Sequence, residues 1–206
     1  MKCSLRHERD LRARGFTCIA GIDEAGRGPL AGPVVAAAVI LPEKFRHRTL
    51  TDSKKLSASC REELYQEMTT RAGVVWSVSV AEVEEIDRIN ILRATHQAMR
   101  RAVAALPFLP DHALIDGLPV RPFPLEQTAL VGGDGRSFSI AAASVIAKVT
   151  RDRIMVEMDA RHPAYAFAQH KGYGTALHLA RLRAHGPCPI HRKTFLPVQQ
   201  ALLPFA

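Results

Sequence analysis

Apolar residues along this chain come first in short runs and later at helical spacing. Cys18-Ile19-Ala20-Gly21-Ile22-Asp23 is an apolar run that ends on an acid, and it predicts a strand. It leads into a glycine-rich bend, Ala25-Gly26-Arg27-Gly28-Pro29. A second run, Val34 to Leu41, is partly β-branched and bounded by Pro33 and Pro42, so it predicts a buried strand. Two strands joined by a tight bend predict an antiparallel hairpin. Ser57 opens a helix that Ser57 or Ser59 can cap, with Glu62 and Glu63 nearby. Val74 to Val80 alternates as a strand. From Glu82 to Leu106, Val83, Ile86, Ile89, Leu92 and His96 recur every three to four residues, predicting one long helix. Ala113 to Asp116 is a short strand that stops at Gly117. Helices are predicted for Ser139 to Arg161 and Thr175 to His185, the second stopped by Gly186-Pro187. Clustered strands followed by alternating strands and helices predict an α/β domain, a mixed sheet with helices packed over it. Residues 1–17 read as a polar N-terminal extension, 18–171 as the main domain, and 172–206 as a small helical C-terminal region packing against it.

Composition narrows the class. Of 206 residues, 47% are hydrophobic and 23% charged, an ordinary globular balance in a length that fits one domain. The net charge of +8, from 28 basic against 20 acidic residues, points to a polyanionic partner. Cys3, Cys18, Cys60 and Cys188 are scattered, so they form neither a zinc motif nor a disulfide framework, and a reducing cytoplasm is expected. The N-terminus has no apolar signal core. The longest apolar stretch, Leu30 to Leu41, is broken by Gly32 and Pro33 and falls short of the roughly 20 residues that span a bilayer. The expectation is a cytoplasmic, soluble monomer with no membrane contact.

Three acidic positions change the picture. Asp23 ends an apolar strand and is followed at once by Glu24; Asp116 ends another strand; Asp134 lies in Gly132-Gly133-Asp134-Gly135, ahead of an Ala-rich helix. Acids at strand ends are placed to converge at one edge of a sheet, where α/β folds bind ligands. Converging carboxylates repel one another and need cations, and oxygen donors suit Mg²⁺ or Mn²⁺. Two such ions about 3.5–4 Å apart clamp the attacking and leaving oxygens of a phosphodiester displacement. Each acid taken alone also fits a turn or a solvated surface, and no spacing rule ties the three together.

The same residues sit in motifs that resemble a known family. Gly21-Ile22-Asp23-Glu24-Ala25-Gly26-Arg27-Gly28-Pro29-Leu30-Ala31-Gly32-Pro33 closely resembles the opening motif of the type 2 ribonucleases H, specifically bacterial ribonuclease HII. Further matches follow in the family's order: Asp52-Ser53-Lys54-Lys55-Leu56-Ser57, Asn90-Ile91-Leu92, Ile115-Asp116-Gly117 and Gly133-Asp134. After them come Ile140 through Asp152, His170-Lys171-Gly172-Tyr173-Gly174-Thr175 and Pro189-Ile190-His191-Arg192. The resemblance implies a ribonuclease H-like fold with a helical C-terminal region. It implies hydrolysis of RNA in RNA–DNA hybrids and incision 5′ of single ribonucleotides embedded in duplex DNA. Mg²⁺ or Mn²⁺ is implied as cofactor, in a two-ion site held by Asp23, Glu24, Asp116 and Asp134 as catalytic carboxylates. The backbone of Gly26-Arg27-Gly28 would contact the 2′-hydroxyl and adjoining phosphates, in keeping with the close approach that glycine allows and with the 2′-hydroxyl as the mark of RNA. Tyr173 would stack on the sugar after the ribonucleotide. Where the family commonly has Lys-Gly-Asp, this chain has Gly132-Gly133-Asp134, so one positive charge near the acids is missing.

Other features carry less. Ser53, Lys54, Lys148 and Lys171 lie in family motifs and are expected to bind substrate; Lys55, Arg151, Arg153, Arg192 and Lys193 are further candidates for phosphate contact. The glycines of 26–32 do not form a dinucleotide-binding loop, because Pro33 and a β-branched run follow instead of a helix. His191 and the other histidines read as structural. The tail Gln200-Ala201-Leu202-Leu203-Pro204-Phe205 loosely resembles a sliding-clamp peptide but reads rather as an apolar terminus docked on its own domain. A related family, ribonuclease HIII, usually carries an extra N-terminal domain, for which the 17 residues ahead of the first strand leave no room. The rival of another class is a non-catalytic nucleic-acid-binding module on the same scaffold.

Overall fold

The structure, a computed structural model, describes residues 3–202. The strands are β1 (Ile19–Ala25), β2 (Val34–Ile40), β3 (Val75–Ala81), β4 (His112–Asp116) and β5 (Glu126–Leu130). They form one mixed sheet in the order β3-β2-β1-β4-β5. The pairs β1–β2 and β2–β3 are antiparallel, and β1–β4 and β4–β5 are parallel. The helices are α1 (Arg6–Ala13), α2 (Ala58–Thr70), α3 (Val83–Ile89), α4 (Ile91–Ala104), α5 (Phe138–Arg161), α6 (Phe167–His170), α7 (Ala176–His185) and α8 (Leu196–Leu202). The expected α/β class, a mixed sheet flanked by helices, is what the chain adopts.

Alternation along the strands sorts the core into two layers, since successive side chains leave opposite faces. On β2, Val35, Ala37 and Val39 pack against α5 and α2, through Ala142, Val145, Ile146 and Met68. Val34, Ala36, Ala38 and Ile40 pack on the other face against Ala94, Ala98, Met99 and Ala102 of α4. This is why β2 reads as a continuous apolar run and not as an alternating one. On β1, Ala20 and Ile22 belong to the α4 layer, so Gly21 and Asp23 face α5. Gly21 is there because α5 runs against it: a Cβ at this position would meet Ser139 C at 2.1 Å and Ile140 N at 2.3 Å, both backbone atoms. Gly21→Ala is therefore expected to cost at least ~3 kcal/mol, the upper end for overpacking. A urea melt checks this, and a loss below ~1 kcal/mol would mean that α5 can move away from the sheet at little cost.

Several elements differ from the sequence pattern. β1 continues through Ala25, so Asp23 and Glu24 lie inside the strand rather than at its end. The β1–β2 connection is no tight bend but the eight residues 26–33. The long helix from Glu82 to Leu106 is two helices. Asn90 breaks it at φ 71°, and its side chain accepts from Arg93 N at 3.0 Å to start α4. Spacing alone could not show this, because both helices keep their apolar residues on the sheet. The polar N-terminus holds α1, whose Glu8 is 1% exposed. Its Oε1 accepts from Ser137 Oγ at 2.7 Å and from Ser139 N at 3.0 Å, placing a carboxylate at the N-terminus of α5. β5 lies at the sheet edge and lacks an alternating signature.

Residues 172–202 return to the β1–β2 connection. Gly32 N donates to Ile190 O and Arg192 N to Leu30 O, while Leu30, Leu182 and Val198 bury one another. α8 takes in Gln200 to Leu202 of the tail motif; Leu203 to Phe205 lie outside the described residues. Among the described residues, no helix is long and apolar enough to cross a membrane.

Candidate active site

Register brings the acids together. β1 and β4 are parallel neighbours, paired up to Ile22 and Ile115. One residue further on each strand stand Asp23 and Asp116, both on the α5 face by alternation. Asp134 comes from the single-turn 3₁₀ segment Gly133–Gly135 after β5, which Asp116 ties down by accepting Gly133 N at 2.7 Å. Oxygens of Asp23, Asp116 and Asp134 all lie within 4.8 Å of one another. Glu24, next in β1, is not part of that triplet, though it lines the same cleft as Asp23; its Oε1 is 3.2 Å from Arg27 Nη1.

The electrostatics are those of converging, buried carboxylates. Asp23 is 4% exposed. Burial, then Glu24 and Asp116, hold its carboxyl well above the usual range, although Glu24 N and Ser144 donate to it. Burial also raises Glu24, against the pull of Arg27. Asp134 is pushed up to about 6 by burial, Asp116 and Asp52. Burial of the Lys54 ammonium opposes its charge, but Asp134, Asp23 and Asp52 outweigh it and raise its pKa. Lys54 Nζ stands 4.0 Å from Asp134 Oδ2.

An all-oxygen set of three converging, mostly buried carboxylates fits a hard divalent cation. Millimolar Mn²⁺ or Mg²⁺ is expected to raise the melting temperature, by about 2.7 kcal/mol of stability at a hundredfold excess over Kd. The rise should shrink as pH falls below about 6, where Asp134 takes up a proton and competes with the ion. Equal melting curves with and without either ion at pH 8 would remove the metal assignment.

A cleft of about 200 Å³ opens beside Asp23 and Glu24. Gly26, Arg27 and Gly28 line it, as do Ser53, Lys54, Lys148 and Tyr173. Lys171, expected with them, does not line this cleft. Its ammonium donates to the Ala168 carbonyl, and its side chain lines a neighbouring groove with Arg61 and Val149. Lys148 Nζ is 2.7 Å from Asp152 Oδ1 and 5.9 Å from the Tyr173 ring centroid. Ser144 also lines the cleft, bonding Asp23 and, at 2.8 Å, Ser53 Oγ. It was legible only as the one hydroxyl in a buried run of alanines and β-branched residues.

Two arginines expected to meet phosphate are instead fully buried. Arg151 and Arg192 are 1% and 0% exposed. Arg192 donates to the carbonyls of Gly26, Arg27, Pro29, Gly32 and Pro33, for example at 2.7 Å to Pro29 and 3.0 Å to Arg27. Arg151 donates to Ala31, Pro33 and Lys171 at 2.9–3.1 Å. Burial lowers both, Arg192 to about 9 with Arg151 beside it, so both stay charged at neutral pH. They fix the β1–β2 connection with its carbonyls turned inward. The N–H groups of Arg27 and Gly28 have no hydrogen-bond partner among the described residues. Gly26 takes φ 101°, and a Cβ there would meet Arg151 Nε at 2.1 Å. Arg153 pairs with Glu62 across the Tyr65 ring, and Lys55 with Asp52 at 3.8 Å.

Known proteins resemble this chain in sequence and in fold. The family model described as Ribonuclease HII matches residues 20–198. A ribonuclease HII of Desulfitobacterium hafniense is 54% identical over 96% of this chain and 76% of its own. The crystal structure of the ribonuclease H2 from Pyrococcus horikoshii superposes with a TM-score of 0.71 at 24% identity, over 90% of this chain and 97% of that one. That of Bst-RNase HIII in complex with Mn²⁺ does so with a TM-score of 0.66 at 19% identity, over 90% and 69%. With the fold shared and the family model spanning the sheet, the acids and the C-terminal helices alike, the chain belongs to the ribonuclease HII family of nucleases.

Proposed function

We propose that this enzyme, beyond the family's ribonuclease H activity on RNA–DNA hybrids, incises duplex DNA on the 5′ side of a single embedded ribonucleotide, leaving 5′-phosphate and 3′-hydroxyl ends. The observation that carries the reading is the meeting of Asp23, Asp116 and Asp134 within 4.8 Å next to a cleft edged by the Gly26–Gly28 backbone. Asp23, Glu24, Asp116 and Asp134 would hold two Mg²⁺ or Mn²⁺ ions. Bound there, the ions supply a nucleophile at neutral pH and charge stabilisation for the attacking and leaving oxygens.

The chain's own groups do the recognising. The N–H groups of Arg27 and Gly28, without a partner among the described residues, would donate to a 2′-hydroxyl or a phosphate oxygen, the connection being held because Arg192 binds the neighbouring carbonyls. Lys54 and Lys148 offer charge to the backbone of the strand. Tyr173, 44% exposed, offers a ring face to the sugar that follows the ribonucleotide. Ser53 and Ser144 orient Asp23.

The test compares a duplex carrying one ribonucleotide, a uniform RNA–DNA hybrid and an all-DNA duplex, each with Mg²⁺ and with Mn²⁺, and maps the ends. Cleavage of the first two, with a 5′-phosphate on the ribonucleotide-containing product, is the expected result. Binding of all three without turnover in either ion would sink the proposal in favour of a non-catalytic module.

A further inference from the structure

Behind Tyr173 lies a group of buried imidazoles that the cleft does not use. His170, His178 and His191 are 8%, 0% and 0% exposed. Their hydrogen bonds define one tautomer for each ring. Cys188 N donates to His191 Nδ1 at 3.0 Å, so that nitrogen is an acceptor. His191 Nε2 therefore carries the proton and donates to His178 Nε2, 3.0 Å away. His178 Nδ1 then carries the remaining proton and donates to the Tyr173 carbonyl at 2.9 Å. His170 completes the cradle: Gly172 N donates to its Nδ1 at 3.2 Å, its Nε2 donates to Tyr165 O at 2.9 Å, and its ring stacks on His178 with centroids 4.4 Å apart. All six ring nitrogens have a partner, and the backbone groups at the ends of the chain of bonds fix the direction of the imidazole–imidazole bond between them.

We infer that His191 and His178 form a directional relay that positions Tyr173: Cys188 N–H to His191, His191 to His178, His178 to the Tyr173 carbonyl, setting the peptide from which the tyrosine ring reaches the cleft. The neutral state this requires is the one the surroundings favour. Burial and the neighbouring His178 push His191 down to about 4, and burial lowers His178. Gly172, just before Tyr173, takes φ 84°, and a Cβ there would meet Ala31 O at 2.4 Å, so the segment is also pinned from the Gly-rich connection. With the backbone held from both sides, the ring is presented at a fixed height over the cleft. Tyr165 and Phe167 surround the imidazoles with aromatic faces and keep water from them.

This inference rests on the proposed role of Tyr173, and a double-mutant cycle separates the two. Tyr173→Ala, His178→Leu and the pair are assayed on a duplex with one ribonucleotide, with melting curves as controls. Tyr173→Ala and His178→Leu are each expected to raise KM by about tenfold, the size of one lost stacking contact, and to leave kcat nearly unchanged. In the Tyr173→Ala background, His178→Leu should change KM by less than about twofold, since residues acting as a unit are not additive. A product of two independent tenfold effects would overturn the relay. If Tyr173→Ala alone leaves KM unchanged, the role of the tyrosine itself fails, and the relay with it. Should His178→Leu not fold, His191→Gln keeps an amide donor toward His178 and is expected to retain the wild-type KM, whereas His191→Leu raises it. Equal KM values for those two variants also overturn the relay.

Discussion

Asp23→Asn is expected to lower the rate of ribonucleotide-strand cleavage by about 10³-fold or more, while raising the melting temperature of the metal-free protein. The first effect follows from the position of Asp23 in the acidic triplet. A divalent ion contributes several kcal/mol of charge stabilisation, and each ~1.4 kcal/mol is a factor of ten in rate. The second follows from electrostatics. Asp23 is buried next to Glu24 and Asp116, and its folded-state pKa is raised. Below the ordinary carboxylate range both folded and unfolded chains bind the proton, and Asp costs nothing relative to Asn. As pH rises, the unfolded chain releases its proton first, and the folded metal-free state loses stability until the pH passes the raised pKa. The gain from Asn is therefore absent below the ordinary carboxylate range and grows as pH rises above it, at about 2–4 °C for each kcal/mol of repulsion relieved. Rate assays at saturating Mn²⁺ and melts in chelator measure the two halves. Undiminished cleavage would refute the metal-ligand assignment, and a pH-independent change in melting would refute the electrostatic account.

The second large effect is expected from a residue that touches no substrate. Arg192→Met should destabilise the protein by ~3–5 kcal/mol, the cost of removing one side of a buried charged network. The carbonyls of Gly26, Arg27, Pro29 and Gly32 lose their donor, while Pro33 keeps Arg151, and buried acceptors left unmet are costly. For a chain of this length the melting temperature falls by roughly 6–20 °C. The fraction that remains folded should cleave about 10²-fold more slowly, because an ångström of displacement at a positioning loop can cost that much. Arg192→Lys should recover little, since an ammonium cannot reproduce a planar fork that reaches five carbonyls. A melting temperature within a degree of wild type in Arg192→Met would show that the connection holds itself without the guanidinium.

Much of the layered fold was legible because burial leaves a period in the sequence. β2 announces itself as an apolar run since helices cover both its faces, and α5 as an apolar helix since 13 of its residues are buried. Where a segment's signal is weaker than its context, the pattern is silent. β5 is an edge strand with one buried residue. α1 is a polar helix held by Glu8 at the start of α5. Asn90 breaks a helix without interrupting its apolar spacing, because the break is a backbone conformation and not a change of face.

The site divides in the same way. The chain by itself singled out Asp23, Glu24, Asp116 and Asp134 as candidates, since they stand beside apolar strands or in a glycine loop, within an ordered set of motifs. It also determined the basic surplus that suits a polyanion. Only the tertiary structure decided their grouping. Parallel register sets Asp23 beside Asp116, Glu24 pairs with Arg27, and Lys54 reaches Asp134 from eighty residues away. It also decided the fate of Arg151 and Arg192. A basic residue in a motif looks the same whether it meets a phosphate or a buried carbonyl, because both accept the same hydrogen bonds. Which acceptor it reaches depends on solvent exclusion, and that is a property of the packed chain and not of any segment of it.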